Sequence, residues 1–387
     1  MMNKKLMALA VAGALAAPAA AFAQASNVQL YGRANLGLDQ YKATGSTSGT
    51  GDLKSRTRVF DSGSRLGVRG TEDLGGGLKA VFQLESGVNF DTGSGNGQAG
   101  TANASTGTLA SRDSYVGLAG SWGQVSFGRQ SIYWVDGVIN QTGANYVNTD
   151  IPWFNGTGMG RVSTGSPGAP VARQSNVVQY NSPTVGGFNA TLSYQPNSES
   201  AAAGANTDAS IWGATFRYNG PINIQYDHVE TQAASGGTLR QKNTGNKLGF
   251  SWSYQPGARV SLKWAQTKMN DVGLVTGFSA AGDDIKQSMW GIGWEHMFGN
   301  VQLMAQWSKL QKASGCSGTG CDDTDATAYM VGVKYHFSKR TGVYATINQT
   351  NNNKNQIADY TAAGMSSGTV SAGADPRIIA VGLHHSF

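Results

Sequence analysis

From Val28 onward, apolar and polar residues alternate with a period of two. Val28, Leu30, Ala34, Leu36 and Leu38 fall on one face, and Gln29, Tyr31, Arg33, Asn35 and Asp39 on the other. That period belongs to a strand with one apolar face. The pattern returns at 78–85, 188–195, 212–218, 248–254, 260–264, 290–298, 329–337 and 379–387. The connectors between these segments come in two kinds. Tight ones such as Gly75-Gly76-Gly77, Asn219-Gly220-Pro221, Pro256-Gly257 and Gly299-Asn300 read as hairpin turns. Long polar ones, rich in Gly, Ser, Thr and Asn, occupy 43–54, 91–110, 131–173, 197–208, 231–242, 270–284, 312–325 and 351–375.

Short turns alternating with long loops predict an all-β fold: a 16-stranded antiparallel transmembrane β-barrel with short periplasmic turns and long extracellular loops. Polarity decides which face points where. Sixteen strands enclose a bore too wide for side chains to fill, so an apolar interior would be an unwettable hole. The apolar face is therefore expected to meet lipid and the polar face to line water. Closure also pairs every strand edge, which lipid could not satisfy. Tyr31, Tyr194, Tyr218, Trp252, Tyr254, Trp290 and Tyr335, near strand ends, are expected to form interfacial girdles.

Composition supports strands over helices. The chain of 387 residues holds 54 Gly, each costing about 1 kcal/mol in a helix interior. Past the first two dozen residues no apolar run approaches the roughly 20 residues of a helical span. The net charge of +6 is dispersed, which gives no footing for nucleic acid. At the N-terminus, Lys4 and Lys5 precede an apolar stretch ending in Ala21-Phe22-Ala23, the pattern of a cleaved export signal. Residues 1–23 are thus expected to be a signal peptide and 24–387 the barrel domain. Cys316 and Cys321, in Ser/Gly/Asp-rich sequence of an exported chain, are expected to form a loop disulfide; two Cys with no His nearby do not make a zinc site.

Several stretches resemble the trimeric general porins of Gram-negative outer membranes, of the β-proteobacterial type. They are Asn27-Val28-Gln29-Leu30-Tyr31-Gly32, the run 63–80 from Gly63-Ser64-Arg65-Leu66-Gly67 to Leu78-Lys79-Ala80, Tyr115-Val116-Gly117-Leu118, Phe127-Gly128-Arg129-Gln130 and the terminal Phe387. The resemblance implies a homotrimer in outer-membrane lipid and lipopolysaccharide, with Phe387 read by the barrel-assembly machinery. It also implies passive diffusion of small hydrophilic solutes and anions, without a cofactor, past a constriction made by the third extracellular loop.

Strict alternation assigns Arg33, Arg65, Arg69, Lys79, Arg173, Arg217, Lys247, Lys263 and Lys334 to the lumen, with Asp39, Asp61, Glu85, Asp227 and Glu295. Cations outnumber anions, so the lumen is expected to be positive and moderately anion-preferring. The segment 131–173 is the candidate constriction loop. It is the longest connector, and it carries Tyr133, Trp134, Tyr146, Trp153 and Phe154, which an exposed loop has no reason to hold. A transverse field is expected, with Arg65, Arg112 and Arg173 on a basic wall facing Glu85, Asp136 and Asp150; by resemblance, the three arginines match the family's basic cluster and Glu85 a pore acid. Arg112 shares the parity of lipid-facing Val116 and Leu118, so it reaches the lumen only across a bulge or if its strand begins after it.

Other function classes have less support. His228 and His296 fall on the lipid-facing parity, His384 and His385 are adjacent in the closing strand, and His336 adjoins a periplasmic turn, which offers no catalytic constellation. A substrate-specific channel, or a surface adhesin using the long loops, is the alternative on the same barrel.

Overall fold

A computed structural model describes residues 27–48, 51–91, 109–132, 158–159, 162–163, 173–196, 210–235, 239–272, 279–360 and 370–387. Its strands are β1 (Asn27–Thr44), β2 (Leu53–Asp61), β3 (Arg65–Gly75), β4 (Leu78–Gly87), β5 (Ser114–Gly120), β6 (Gly123–Ser131), β7 (Gly158–Met159), β8 (Val162–Ser163), β9 (Arg173–Asn181) and β10 (Phe188–Gln195). They continue with β11 (Ile211–Asn219), β12 (Ile222–Ser235), β13 (Leu239–Gln255), β14 (Ala258–Val272), β15 (Asp283–Phe298), β16 (Val301–Leu310), β17 (Ala326–His336), β18 (Thr341–Asn352) and β19 (Asp375–Ser386). No helix occurs among the described residues. The signal-peptide reading of 1–23 lies outside them.

The barrel strands pair antiparallel in chain order, β6 directly with β9 while β7 and β8 form a separate two-stranded pair, and β1 closes the sheet against β19 from Arg33↔Ser386 to Thr44↔Asp375. The sheet has 17 segments, but β2 and β3 lie end to end along the same side of β1, opposite Leu36–Ala43 and Asn27–Arg33 respectively. They are one strand broken at 62–64, which makes a 16-stranded barrel. The break is a built bulge. Gly63 takes a positive φ of 70°, Asp61 accepts from the Ser64 amide, and the Arg33 guanidinium donates to the carbonyls of Ser62 and Gly63. Arg33 therefore faces inward as its parity requires, with its guanidinium bonded to the wall.

The barrel is inside-out relative to a soluble protein. Leu30 and Val116 are 62% and 61% exposed, whereas Asn35, Asp227 and Ser308 are fully buried. The apolar face meets lipid and the polar face the interior.

Three expectations need correction. The stretch 231–242 is not a long loop: β12 and β13 stay paired up to Ser235↔Leu239, leaving only 236–238 between them. Its polarity has another cause. At its two ends, Thr231 points inward and Lys242 points outward, where it forms an ion pair with the neighbouring Glu230 at 2.7 Å. Tyr31 does not join a girdle but turns inward, as do Tyr41, Phe60 and Tyr344. Nor does the last loop stand free outside. Its 353–360 portion tucks into the mouth, where Tyr360, Val370 and Ala374 pack with Tyr41, Phe60, Met304, Met330 and Tyr344.

That tuck is held by Asp359, whose carboxylate accepts from the Tyr41 hydroxyl at 3.0 Å and from the Tyr360 amide at 2.7 Å. Gln356 also donates to the Thr324 carbonyl of the neighbouring loop, in which Cys316 and Cys321 are joined by a disulfide. Burial pushes the Asp359 carboxyl up to about 6, although those hydrogen bonds and the nearby Arg56 and Arg58 favour its ionised form. The docked loop thus holds the proton more tightly than an undocked one. Docking gains on the order of 3 kcal/mol as pH falls from above 6 to the ordinary carboxylate range, and loses it as pH rises back through 6. Amide hydrogen exchange of 353–360 is expected to slow between about pH 7 and about pH 5, after correction for intrinsic rates. Asp359→Asn should remove that difference.

Candidate pore constriction

The site is built on the rows of β1, β3 and β4. Tyr31, Gly67 and Glu85 are direct cross-strand partners. A side chain at 67 would overlap the Tyr31 ring, so Gly67 lets that ring lie flat across β3. The Tyr31 hydroxyl then donates to Glu85 Oε2 at 3.0 Å. Replacing Gly67 by Val should displace Tyr31 and cost about 2 kcal/mol, as expected for a hydrogen bond to a charged group. Tyr31→Phe, which removes only the hydroxyl, should reproduce most of that loss in thermal unfolding.

Arg112 lies in the segment preceding β5, and its amide donates to the Glu85 carbonyl at 2.9 Å. Because β5 begins at Ser114, strand alternation does not bind Arg112. Its buried guanidinium donates to Glu85 Oε1, while Arg65 Nε stands 3.9 Å from Glu85 Oε2. The transverse expectation put Glu85 opposite the arginines; the structure sets it among them. Two cations and a phenol around one carboxylate leave that end of the cluster positive.

Arg173, at the start of β9, donates to Asp113 Oδ2 at 3.0 Å. The other oxygen of Asp113 accepts from the Ser131 amide at 2.8 Å and from its hydroxyl at 3.0 Å. Ser131 and Arg173 are register partners and the last and first paired residues on either side of the 132–172 connector. Asp113 therefore staples the base of that loop. The reading from sequence missed it, although it sits beside Arg112 just before an alternating segment. Nearby, an irregularity between Gly128 and Gln130 takes Arg129 out of register with β9 while it stays paired with Ser114 of β5, and Arg129 donates to the Ser111 carbonyl and to Ser175 Oγ.

Arg65, Arg112 and Arg173 against Glu85 and Asp113 give three cations and two anions, a surplus of one. Two described pieces of the 132–172 connector leave the wall that carries it. Ile132 is buried against Gly213 of β11, and β7 and β8 lie against β15, seven strands round from β6. Asp136 and Asp150 lie outside the described residues, as does most of 131–173.

The remaining sequence-predicted charges are spread around the wall. Arg217 donates to Thr191 and Gln225, Lys247 stands 3.8 Å from Asp227, and Lys263 is buried on the inward face. Sequence reasoning also missed Arg58, which clasps Asp39, and Arg259, which pairs with Glu295 at 2.9 Å. Phe387 closes the barrel through reciprocal backbone hydrogen bonds with Gly32. The run Gly364-Met365-Ser366-Ser367-Gly368 has the spacing of a hydrolase nucleophile turn, but it lies outside the described residues. No group of His, Cys, Asp and Glu suited to a metal occurs among the described residues.

A family model described as Gram-negative porin matches residues 8–355. The chain is 32% identical over 400 residues to outer membrane porin protein 32 of Delftia acidovorans, covering all of both chains. It is 29% identical over 385 residues to an outer membrane porin protein of Bordetella pertussis, covering 89% of this chain and 93% of the relative. Among solved structures, the anion-selective porin from Comamonas acidovorans superposes with a TM-score of 0.73 at 26% identity, covering 94% of this chain and 100% of that one.

Proposed function

Because the chain belongs to the Gram-negative porin family, we propose that this outer-membrane diffusion channel favours small anions and works as a homotrimer, each protomer carrying its own water-filled pore. The family's members are channels, not enzymes. One observation carries the anion preference: the inward cluster of Arg65, Arg112 and Arg173 exceeds its carboxylates, Glu85 and Asp113, by one charge. A narrow, low-dielectric throat magnifies such a surplus for permeating ions. In this reading 131–173 narrows the throat, and Asp136 and Asp150 on it supply the acidic side of the field, their charge offset by the further inward cations Arg33, Arg217 and Lys263 of the wall. The short reach of a charge in salt, about 8 Å, makes the result a preference and not exclusion.

Support for the trimer comes from the outer wall. Outward Trp and Tyr, such as Tyr194, Trp212, Trp252, Trp264, Trp290 and Tyr335, run from β10 to β17. Among the described residues, the outward positions of β1 to β5, β18 and β19 hold no Trp or Tyr; apart from Phe82 on β4 their large outward side chains are aliphatic, including Leu30, Val116, Leu118, Val381 and Leu383. A wall facing lipid is girdled by aromatics at both interfaces, and a wall facing another protomer needs none. Residues 1–23 act as the export signal and Phe387 as the mark recognised on assembly, with no cofactor required. Planar-bilayer recording tests the reading: conductance should rise in groups of three equal steps, and isolated single steps would refute the trimer.

A further inference from the structure

The 311–325 connector between β16 and β17 has an anchored side and a hanging side. On the anchored side, Ser314 exchanges backbone hydrogen bonds with Lys286 of β15, both at 2.9 Å, and the Ser317 amide donates to Asp283 Oδ2 at 2.9 Å. Cys316 sits between those two anchors. On the other side, residues 322–325 form a ledge that carries the infolded 353–360 segment. The Asn353 amide donates to the Asp325 carbonyl and the Asn355 amide to that of Asp323, both at 3.0 Å. The Asn355 side chain donates to the Asp322 carbonyl at 2.8 Å, and Gln356 to that of Thr324. Asp323 presents its carbonyl from a left-handed backbone with φ 53°, a conformation that persists in a residue with a side chain only where its surroundings impose it. Cys321 precedes the ledge and is buried in one apolar cluster with Ala358 of the segment, Met289 and Leu310.

The Cys316–Cys321 disulfide is therefore the covalent tie between anchor and ledge. Lys312 pairs with Asp322 at 2.5 Å on the exposed side, and Ala313 and Gln287 each donate one hydrogen bond to Thr324. An exposed ion pair and single hydrogen bonds constrain the chain less than a covalent ring does. Cys316 is half-buried, and its neighbours Gly315, Ser317, Gly318 and Thr319 are exposed, so a small thiol can reach its Sγ. The Cys316 amide donates to Cys321 Sγ at 3.2 Å, a donor already in place for a thiolate leaving from Cys321.

We propose that Cys316–Cys321 is a thiol-exchange site through which a small hydrophilic thiol outside the cell releases 353–360 from the barrel mouth. The thiolate attacks Cys316 Sγ, a mixed disulfide forms there, and the Cys316–Cys321 bond breaks with its electron pair leaving on Cys321. A second thiolate attacks the incoming sulfur of that mixed disulfide, and Cys316 leaves as thiolate; the two cysteines take up the protons that the two thiols gave up. The protein gains two electrons, and the two small thiols become one disulfide. With the ring open, Asp323 relaxes, the ledge loses its fixed carbonyls and the segment swings clear. The oxidised protein has the narrower mouth and the reduced one the wider. The exchange site rests on the outer-membrane placement, with long loops outside; only the change of bore rests on the channel reading.

The test incubates the full mature protein, folded in detergent, with reduced glutathione. It follows amide hydrogen exchange of 353–360 at constant pH and counts the freed thiols by alkylation and mass spectrometry. Opening a ring of this size shifts a local equilibrium about fortyfold, so protection of 353–360 should fall by about that factor while β10 and β11, far round the wall, keep theirs. Cys316→Ser with Cys321→Ser should be loosened to the same degree and should not respond to glutathione. Reduction of the folded wild type keeps the test independent of whether the serine pair folds. In planar bilayers, a level above the main conductance should be visited about fortyfold more often after reduction. A disulfide that glutathione cannot reduce in the folded protein, or unchanged protection with both thiols alkylated, overturns the site. A conducting protein that loosens without visiting the higher level overturns release from the mouth. Protein that loosens on reduction yet carries no current in either state upholds the exchange site and refutes the pore.

Discussion

A channel carrying Arg65→Gln and Arg112→Gln together is expected to change from anion-preferring to cation-preferring. The cluster falls from three cations and two anions to one cation, Arg173, and two anions, Glu85 and Asp113. A unit charge about 7 Å from the ion path contributes about 0.6 kcal/mol in water, and roughly 0.25 kcal/mol after physiological screening. Because it acts with opposite sign on anions and cations, each charge alters their permeability ratio about two- to sevenfold, and the pair about five- to fiftyfold. Arg112 is buried against Glu85, so its removal also weakens the wall. Arg112→Lys is the control that keeps the charge: its selectivity should stay close to wild type in salt-gradient measurements.

Replacing Asp113 by Ala should move selectivity the other way. The surplus rises by one, so the anion preference should strengthen about two- to sevenfold. The same change leaves Arg173 without its carboxylate and Ser131 without its acceptor at the base of the 132–172 connector. Breaking one side of a largely buried ion pair costs on the order of 3 kcal/mol. Open-channel current noise should therefore increase as that connector loosens. Asp113→Asn, which keeps an acceptor for Ser131, should show the same selectivity with quieter current. A quiet Asp113→Ala channel would remove Asp113 from its role as a staple.

The barrel was legible from sequence because alternation is a direct image of a wall with lipid on one side and water on the other. Leu30 and Arg33 could be sorted by parity alone. The method weakens where chain leaves the ladder. Arg112 looked misplaced only because alternation was extended back beyond Ser114, where β5 begins. Asp113 was overlooked for the same reason, since a residue outside a strand has no parity to recommend it. The stretch 231–242 looked like a loop because a water-facing threonine at one end and a lysine at the other, paired outward with Glu230, imitate loop composition. The infolding of 353–360 left even less trace. Its apolar partners Met304, Met330 and Phe60 occupy inward positions far apart in the chain, and only closure of the barrel brings them together.

The most direct test of the account is the reversal potential of the wild-type protein across a planar bilayer under a potassium chloride gradient. Potassium and chloride have nearly equal mobility, so the sign reports the pore charge alone. A potential of the sign set by chloride, shrinking as ionic strength rises, is the predicted result. A potential set by potassium would contradict it, and with it the claim that the arginines around Glu85 and Asp113 govern what passes.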